Sequence, residues 1–401
     1  MKAKMLILMN RIPWPLKDGG AIGFFNGVKG YHDVGADITV CAINTRKHHV
    51  EILPAELTSI ANWKYIDLDT EVTWSGALFN LFSGKSYNVQ RFDTAAFHRL
   101  LQKTLQEQSF NIIVFDSVFM ASYLEDVQGS KAFKVMRQHN VEYKIWEGLA
   151  AGEKNPLKKA YLSLLARRLK RFEMDAINRV DMISAITQSD TDEFRKMGCT
   201  KPIIIIPAGV NLDCLIPSPN SVEPKSVFHL GSMEWLPNRE AMNWFLEKVW
   251  LRVLEQVPDA KFYLGGRGMP ESFQNLKMPN VQVCGEVDDA VEFMNSKQIM
   301  IVPLFSGSGI RIKILEGMAL GKTIVSTPLG VQGIECDMSN DVLVSGDAEG
   351  FAMHLVRLLT DQTECTRIGQ NAMKFVRDRY ENKQVMGKAL SAFMELAKAA
   401  S

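Results

Sequence analysis

The sequence predicts an α/β protein built from two doubly wound parallel sheets, with a helical segment at its C-terminus. Short β-rich apolar runs alternate with longer helical patterns along nearly the whole chain, which is typical of parallel strands joined by crossover helices. The chain has 401 residues, which suits two domains of roughly 150–200 residues each. A polar, proline-containing stretch without periodicity separates the strands into two sets.

Each sheet is predicted to contain six strands, one for each short apolar run. The first sheet is predicted from Lys4–Met9, Asp37–Ala42, Lys64–Leu68, Asn111–Phe115, Lys134–Arg137 and Met182–Ala185. The second is predicted from Ser226–His229, Lys261–Leu264, Val281–Val283, Ile299–Pro303, Thr323–Ser326 and Asp341–Val344. The predicted domains are 1–214 and 226–376, joined by a linker over 215–225, and the helix over 377–401 is expected to pack toward the N-terminal domain.

The composition argues against several classes of protein. Lys and Arg number 46 against 45 Asp and Glu, so no global field draws the chain to nucleic acid. The six cysteines show no C-x-x-C spacing, so neither a disulfide framework nor a zinc site is indicated, and a cytoplasmic location fits best. The apolar runs are far shorter than the about 18 residues of a membrane span, and Met5–Met9 is too short for a signal peptide.

The segment 303–321 contains the most candidate functional residues. In it, a predicted buried strand is followed by a loop and then by a helix predicted to begin near Ile310. Gly307, Gly309 and the free N–H groups of the first helical turn suit phosphate oxygens, and Ser308 is a candidate cap. Two cations and one acid follow in the helix: Arg311, Lys313 and Glu316. The set suits a nucleoside diphosphate; the alternative is a capped helix with a surface Lys–Glu pair.

Three further strand ends in the same domain carry glycines. Gly231-Ser232 follows one strand and precedes a helix expected from about Arg239, and segments 263–268 and 283–289 end two others. The segment 263–268 lacks the full G-x-G-x-x-G spacing of a dinucleotide site. Parallel sheets bind ligands at the carboxyl ends of their strands, so these loops are expected to line one site, with both sheets of the chain facing a shared crevice.

In this order, the motifs resemble the donor half of glycosyltransferase family 4. Those motifs are Gly231-Ser-Met-x-Trp-x-Pro-Asn238, Gly285-x-Val-Asp288 and the segment 303–321. The resemblance extends into the first half through Asp18-Gly-Gly20, Arg137–Glu142, Lys170–Glu173 and Ile206–Asn211.

The resemblance implies the GT-B fold, in which two Rossmann-like domains face one another. The N-terminal domain would bind the acceptor and the C-terminal domain the nucleotide sugar. The implied reaction is retaining transfer of a sugar from a nucleotide diphosphate to a glycan, lipid-linked or small-molecule acceptor, in cell-surface polysaccharide or glycoconjugate synthesis. The nucleotide sugar is a co-substrate, and neither a metal nor another cofactor is expected.

The resemblance also implies a role for individual residues. The catalytic group comprises His139, Arg311 and Lys313. Donor binding is expected from Gly20, Gly231, Ser232, Gly285, Val287, Ser308, Gly309 and Glu316, and the acceptor side from Asp18, Gly19, Asn140 and Glu142. Glu316 matches the carboxylate that grips the ribose. Ser308 and Ser232 stand where the family usually has a glutamate and an arginine, so Arg311 and Lys313 become the expected partners of the leaving diphosphate.

Other functions stay open at this stage. A nucleotide-sugar epimerase uses the same scaffold, and Ser232 and Ser308 also permit an inactive donor-binding protein. Asp67-Leu-Asp69 matches a D-x-D metal motif, but it ends a strand of the first domain and is interpreted as a solvated terminus. No G-x-S-x-G elbow, P-loop lysine or H-E-x-x-H helix occurs, which disfavours the corresponding hydrolases and phosphoryl-transfer enzymes.

The segment 154–171 is basic and carries apolar residues at helical spacing. Such a segment is able to lie on the anionic inner face of a membrane. The alternative is an ordinary crossover helix with its charges in water.

Overall fold

The computed structural model describes residues 2–16, 18–71, 80, 83–307 and 309–399. The chain divides into two compact units. Unit 1 comprises Met1–Gly209 together with Lys383–Ser401, and unit 2 comprises Val210–Asn382. The division after Gly209 comes just before the segment 215–225 that the sequence favours as a linker.

Unit 1 contains a sheet of seven parallel strands. Their bounds are β1 Lys4–Met9, β2 Asp37–Thr45, β3 Asn62–Leu68, β4 Ile112–Phe115, β5 Phe133–Arg137, β6 Met182–Ala185 and β7 Ile203–Ile205. The spatial order is β3-β2-β1-β4-β5-β6-β7. All six predicted strands are present, but the count of six was wrong, because β7 pairs with β6 at the edge of the sheet.

The helices of unit 1 follow the strands as crossovers. Their bounds are Gly19–Asp33, Ala55–Thr58, Tyr87–Gln90, Ala95–Glu107, Glu142–Gly152, Pro156–Asn178, Gln188–Lys196 and Asn382–Ala399, with 3₁₀ turns at Arg46–His48, Val118–Tyr123 and Glu125–Val127. The central strands are buried on both faces, as expected of a sheet covered by helices on each side. The C-terminal helix shares the core on one of these faces with the helix Gly19–Asp33, to which it contributes Val385, Met386, Ala389 and Phe393.

Unit 2 contains a sheet of six parallel strands. Their bounds are β8 Ser226–Leu230, β9 Lys261–Gly265, β10 Val281–Gly285, β11 Ile299–Val302, β12 Thr323–Ser326 and β13 Leu343–Val344. The spatial order is β10-β9-β8-β11-β12-β13. The run predicted over 341–344 starts at Leu343 because the N–H groups of Asp341 and Val342 both donate to the carbonyl of Asp337 in a turn.

The helices of unit 2 pack around this second sheet. Their bounds are Leu236–Trp244, Leu251–Gln256, Glu271–Gln274, Ala290–Asn295, Ile312–Ala319, Ala348–Thr360 and Gln362–Arg379, with a π-helical turn over Phe245–Trp250 and 3₁₀ turns at Leu212–Cys214 and Pro219–Ser221. Two helix starts differ from the prediction, at Leu236 and at Ile312. The predicted class, two doubly wound parallel sheets with helices, is confirmed.

Within the described part of the chain, no helix is both long and apolar enough to cross a membrane.

Candidate functional site

Each sheet reverses its strand order at one point. In unit 2 the reversal lies between β8 and β11, which pair directly. In unit 1 it lies between β1 and β4. Connections on the two sides of such a switch point leave in opposite directions and open a crevice at the carboxyl ends of the strands. The predicted site loops follow these strands: Gly231 follows β8, the segment 303–311 follows β11, and Asp18 lies in the loop after β1.

Glycines bring the strand ends of unit 2 into backbone contact. The N–H of Gly231 donates to Gly265 at 3.1 Å, and the N–H of Gly266 donates to Gly285 at 2.6 Å. Gly266 has φ +150°, and a Cβ built on it would lie 1.8 Å from the carbonyl oxygen of Gly231. These loops therefore leave no room for a side chain at Gly266, and their backbones pack directly against one another.

The loop after β11 is turned by two glycines in left-handed conformations, Gly307 at φ +106° and Gly309 at φ +81°. A Cβ on Gly307 would lie 2.6 Å from the Trp235 ring, so Trp235 packs against this loop. The following helix has Arg311 at its N-cap position and no side-chain cap. Ser308, the predicted cap and donor contact, lies outside the described residues.

Arg311 lies beneath Trp235 rather than in open solvent. Its guanidinium carbon is 5.5 Å from the centroid of the Trp235 ring, its side chain donates to the carbonyl of Gly309, and the residue is 9% exposed. Burial lowers the pKa of Arg311 to about 10, so the guanidinium is still a cation at neutral pH. Arg311 thus fixes the glycine loop and places a positive charge at the start of the helix.

Lys313 and Glu316 form an ion pair of 2.8 Å on the face of this helix. The Lys313 side chain is 37% exposed and the Glu316 side chain 13%. The pair is the surface Lys–Glu contact that was the simpler interpretation of the sequence. It follows directly after the loop that contains Gly307 and Gly309. A ligand with hydroxyl groups and phosphate would compete for both partners.

Arg267 is a basic residue of the unit 2 strand ends that the sequence analysis missed. Its Nε is 3.5 Å from the Ser232 hydroxyl and 3.6 Å from the Glu234 carboxylate. Arg267 belongs to the glycine-rich segment 263–268, which was judged by its spacing alone. Its place beside Ser232 supplies a cation near the position where the family pattern has an arginine.

The remaining predicted donor residues lie at the end of β10. Gly285 has φ +70°, and Val287 is partly buried against the core of unit 2. Asp289 accepts hydrogen bonds from Val291 and Glu292 and caps the helix Ala290–Asn295. Gly285 and Val287 therefore sit next to the other strand-end loops of the same sheet.

In unit 1, Asp18 caps the helix Gly19–Asp33 by accepting from the N–H of Ala21 at 2.9 Å. The same carboxylate forms an ion pair of 2.5 Å with Arg11. A Cβ on Gly20 would lie 2.6 Å from Arg11 Nη2, so Gly20 gives the guanidinium its place at the helix N-terminus. Burial raises the pKa of Asp18, but the hydrogen bond and charge of Arg11 outweigh it, so the pKa is lowered.

His139 lies at the carboxyl end of the unit 1 sheet and belongs to a polar cluster. Its Nε2 is 2.7 Å from Asp116 Oδ1, and the same oxygen is 3.2 Å from Arg137 Nη1. Asp116 and Arg137 are 2% and 1% exposed. The rings of Phe24 and His139 pack in a T-shaped arrangement, with their centroids 4.6 Å apart. Asp116 was not among the predicted site residues, although its position directly after β4 is a signal of the same kind as that of His139 after β5.

Asn140 and Glu142 lie on the turn that leads into the helix Glu142–Gly152. Burial raises the pKa of Glu142 to about 7, although a hydrogen bond from Asn140 lowers it. The buried Glu173 accepts from the N–H groups of Glu142 and Tyr143, each at 3.2 Å. Glu173 therefore holds the first turn of this helix. This contact gives the glutamate of the Lys170–Glu173 motif a structural role.

The D-x-D pattern at the end of β3 is engaged in local contacts. Asp69 forms an ion pair of 3.0 Å with Arg46, and Asp67 accepts from Asn44 at 2.7 Å. These contacts agree with the interpretation of the pattern as a solvated strand terminus.

The basic segment 154–171 contributes most of the helix Pro156–Asn178. Residues 154–160 are all exposed, and the helix becomes buried at Leu165 and Ala166. Leu157 is 82% exposed, and Leu149 on the preceding helix is 54% exposed. The tip of this helical hairpin therefore presents two leucines beside several lysines.

Two sequence comparisons connect the chain to known proteins. Residues 224–361 match the family model described as glycosyl transferases group 1. A Klebsiella pneumoniae protein described as an uncharacterized 44.6 kDa protein in the cps region is 20% identical over 402 residues, covering 96% of this chain and 98% of that protein.

Solved structures share the fold over nearly the whole chain. Sucrose-phosphate synthase from Thermosynechococcus elongatus has a TM-score of 0.71 at 14% identity and covers 99% of this chain and 100% of its own. HepE from Anabaena in complex with UDP has a TM-score of 0.65 at 14% identity, with coverage of 98% and 100%. TarM has a TM-score of 0.68 at 11% identity, with coverage of 98% and 99%. The chain has the fold of these proteins, and the family match over most of unit 2 supports glycosyl transfer.

Proposed function

We propose that the protein is a retaining glycosyltransferase of family 4 that transfers a sugar from a nucleotide diphosphate to a glycan or lipid-linked acceptor in polysaccharide or glycoconjugate synthesis. The observation that carries the proposal is the switch point of unit 2. There, contacting glycine loops, the start of a helix and the group Arg311, Lys313 and Glu316 lie at neighbouring strand ends.

These groups suit the departure of a nucleoside diphosphate. Breaking the anomeric bond leaves negative charge on phosphate oxygens while the sugar gains oxocarbenium character. The N–H groups of the first turn of Ile312–Ala319 and the cations Arg311 and Lys313 stabilise that charge. Glu316 holds the ribose hydroxyls. The anomeric configuration is retained if the acceptor attacks the same face of the sugar that the phosphate leaves, with the leaving phosphate accepting the acceptor's proton. In this proposal no metal takes part.

Two comparisons support the choice of substrates. HepE, which shares the fold, has been solved with UDP and with UDP-glucose, so a uridine diphosphate sugar is the first donor to try. The relative from a cps region supports a polysaccharide context.

A donor screen tests the proposal. Purified protein is incubated with UDP-, GDP- and ADP-sugars, with and without EDTA, and release of the nucleoside diphosphate and the thermal shift are recorded. We expect release from one donor that EDTA leaves unchanged. In Glu316→Gln we expect the affinity for that nucleotide to fall about 10-fold, as for the loss of a charged hydrogen bond.

The matched control is Glu364→Gln, which removes a comparable ion pair, with Arg357, from the same unit. Its nucleotide affinity should equal that of the native protein. A donor converted into an isomeric sugar without an acceptor would instead identify an epimerase, and binding without turnover would identify an inactive homologue. Loss of release in EDTA would contradict the metal-independent reaction.

We further propose that the tip of the hairpin in unit 1 binds the anionic inner face of the cell membrane, which would bring the enzyme to a lipid-linked acceptor. Leu157 and Leu149 would enter the interface while Lys154, Lys158 and Lys159 approach anionic headgroups. Lys158 also pairs with Glu153 at 2.6 Å, so much of the attraction depends on the other two lysines.

Sedimentation with lipid vesicles tests this contact. We expect the native protein to bind vesicles that contain phosphatidylglycerol in phosphatidylcholine. We expect Leu157→Asp to bind several-fold more weakly, because a charge replaces apolar area that would be buried in the lipid on binding. Ile52→Asp is the matched control, since Ile52 is also 82% exposed in unit 1 but lies outside the hairpin. Equal binding of both variants would contradict the proposed surface.

A further inference from the structure

The buried Asp116 does not contact solvent, yet it forms the shortest polar contact of His139. Its Oδ1 atom lies 2.7 Å from Nε2 of the imidazole and 3.2 Å from Nη1 of Arg137. Burial favours the neutral acid, but the charges of Arg137 and His139 outweigh this, so the pKa of Asp116 is lowered. Asp116 is therefore an ionised carboxylate that accepts hydrogen bonds and donates none.

The protonation of His139 follows from its neighbours. Burial lowers the pKa of the imidazole, Asp116 opposes this effect, and the nearby guanidinium groups of Arg137 and Arg11 lower it again, so that the net shift is downward. A neutral imidazole carries one proton, and the contact with an ionised carboxylate requires that proton on Nε2. Nδ1 then carries a lone pair.

The other side of the ring is available to a ligand. The His139 side chain is 21% exposed, and in the described part of the chain its ring makes its hydrogen bond through Nε2, which leaves Nδ1 for a ligand. Phe24 packs against the imidazole in a T-shaped arrangement. Gly27 in the first helix makes room for the cluster, since a Cβ there would lie 2.6 Å from Arg137 Nη1.

We propose that Asp116 is a positioning residue that fixes His139 as the Nε2–H tautomer, so that Nδ1 accepts a hydrogen bond from a hydroxyl group of the reacting sugar. A lone pair at this position selects a hydroxyl donor and disfavours a phosphate oxygen or a carboxylate, since two acceptors repel one another. The choice of a sugar as the ligand rests on the proposed function, whereas the tautomer does not.

Nitrogen NMR of the full-length protein, labelled with 15N-histidine, tests the tautomer without any substrate. The 15N shifts of the two ring nitrogens distinguish the two neutral tautomers and the imidazolium, and His139→Gln assigns the signal. We expect the Nε2–H form at pH 7.5 in the native protein and a changed tautomer in Asp116→Asn, where the amide is able to donate to Nε2. An imidazolium or an Nδ1–H ring in the native protein overturns the proposal, as does an Asp116→Asn spectrum identical to the native one.

His98 provides an internal reference in the same spectrum. It lies between Asp126 at 2.6 Å and Asp93 at 3.0 Å; burial lowers the pKa of its imidazole, but the two carboxylates outweigh this, so that its pKa is raised. On acidification His98 should therefore become an imidazolium at a higher pH than His139. Should Asp116→Asn fail to fold, as judged by its thermal transition, the native spectrum alone still decides the tautomer.

Kinetics with deoxy sugars test the hydroxyl. Once a donor and an acceptor are known, we expect one analogue that lacks a single hydroxyl to react on the order of 10- to 100-fold more slowly with the native protein, and His139→Ala to show no such difference. Asp116→Asn should lower kcat and leave the KM for the donor within about threefold. If all deoxy analogues affect the native protein and His139→Ala equally, the hydroxyl contact is wrong. Absence of any turnover would contradict the proposed function and leave the NMR result unaffected.

Discussion

Gly266 has the most restricted position among the glycines of the unit 2 strand ends. It has φ +150°, and a Cβ on it would lie 1.8 Å from the carbonyl oxygen of Gly231. The obstacle is backbone, which cannot rotate away as a side chain does. The conformation and the contact both require glycine, so the row of strand-end loops depends on this residue.

Gly266→Ala should therefore destabilise unit 2 by about 2–4 kcal/mol and weaken nucleotide binding, because the loops after β8 and β9 must separate. Chemical unfolding followed by tryptophan fluorescence measures the first effect, and the thermal shift with nucleotide measures the second. Gly346→Ala is the control in the same unit, since its Cβ would meet no described atom within 4 Å. Equal stability of the two variants would show that the loops adjust freely.

At the scale of secondary-structure elements, Lys322 joins the loop before β12 to the end of a helix. It is 4% exposed, and its Nζ donates to the carbonyls of Asn295 at 2.9 Å and Lys297 at 3.0 Å. These carbonyls belong to the C-terminal end of the helix Ala290–Asn295, where a cation is favourable. Burial lowers the pKa of Lys322 to about 8.

The pH dependence of stability should report this lysine. Between the folded pKa of about 8 and the ordinary value of about 10.4, the unfolded chain binds more protons, so the contribution of Lys322 to stability rises with pH. We expect the free energy of unfolding of the native protein, relative to Lys322→Met, to increase by about 2 kcal/mol from pH 7.5 to pH 9.5. Urea unfolding at the two pH values measures it, and a constant difference would mean that the amine keeps its ordinary pKa.

At the scale of the whole molecule, the two units differ in how the chain builds them. Unit 2 is one continuous segment, Val210–Asn382, with its own core. Unit 1 consists of two segments, and the second supplies Val385, Met386, Ala389 and Phe393 to the core that contains β1 and β2. Unit 1 is therefore incomplete without residues that follow unit 2.

Fragments of the chain should behave accordingly. We expect the fragment 210–382 to fold alone with a cooperative thermal transition and to retain nucleotide binding. The fragment 1–209 should aggregate, because removal of the C-terminal helix exposes apolar residues of the core that it completes. When residues 383–401 are attached to the fragment 1–209 through a glycine-serine linker, the fragment should regain a cooperative thermal transition. A soluble, cooperative 1–209 fragment would show that the C-terminal helix contributes little.

Much of the fold was predictable, because buried parallel strands have a strong apolar signal and each predicted strand is present. The edge strand β7 was missed as a member of the sheet, since its residues are half-buried to exposed and lead directly into proline and the aperiodic stretch. The helix that begins at Ile312 was predicted from near Ile310. Its N-cap residue is Arg311, which makes no side-chain cap and so gives no sequence signal for the start.

The candidate site was predictable for residues that directly follow a strand in a familiar motif. Contacts between distant strand ends were not predictable. Asp116 and His139 are 23 residues apart, and Arg267 and Ser232 are 35 apart; strand order decides which of these groups meet. The burial of Arg311 beneath Trp235 likewise depends on packing around Gly307, which a single sequence does not display.

The return of the chain to unit 1 has a consequence for synthesis on the ribosome. Residues 383–401 are translated after the whole of unit 2, so the core on one side of the sheet that contains the first strand is incomplete until translation has passed Phe393. The unit that is second in sequence is then the first able to complete its fold. During that interval the nascent N-terminal segment is the part most exposed to aggregation and to chaperones.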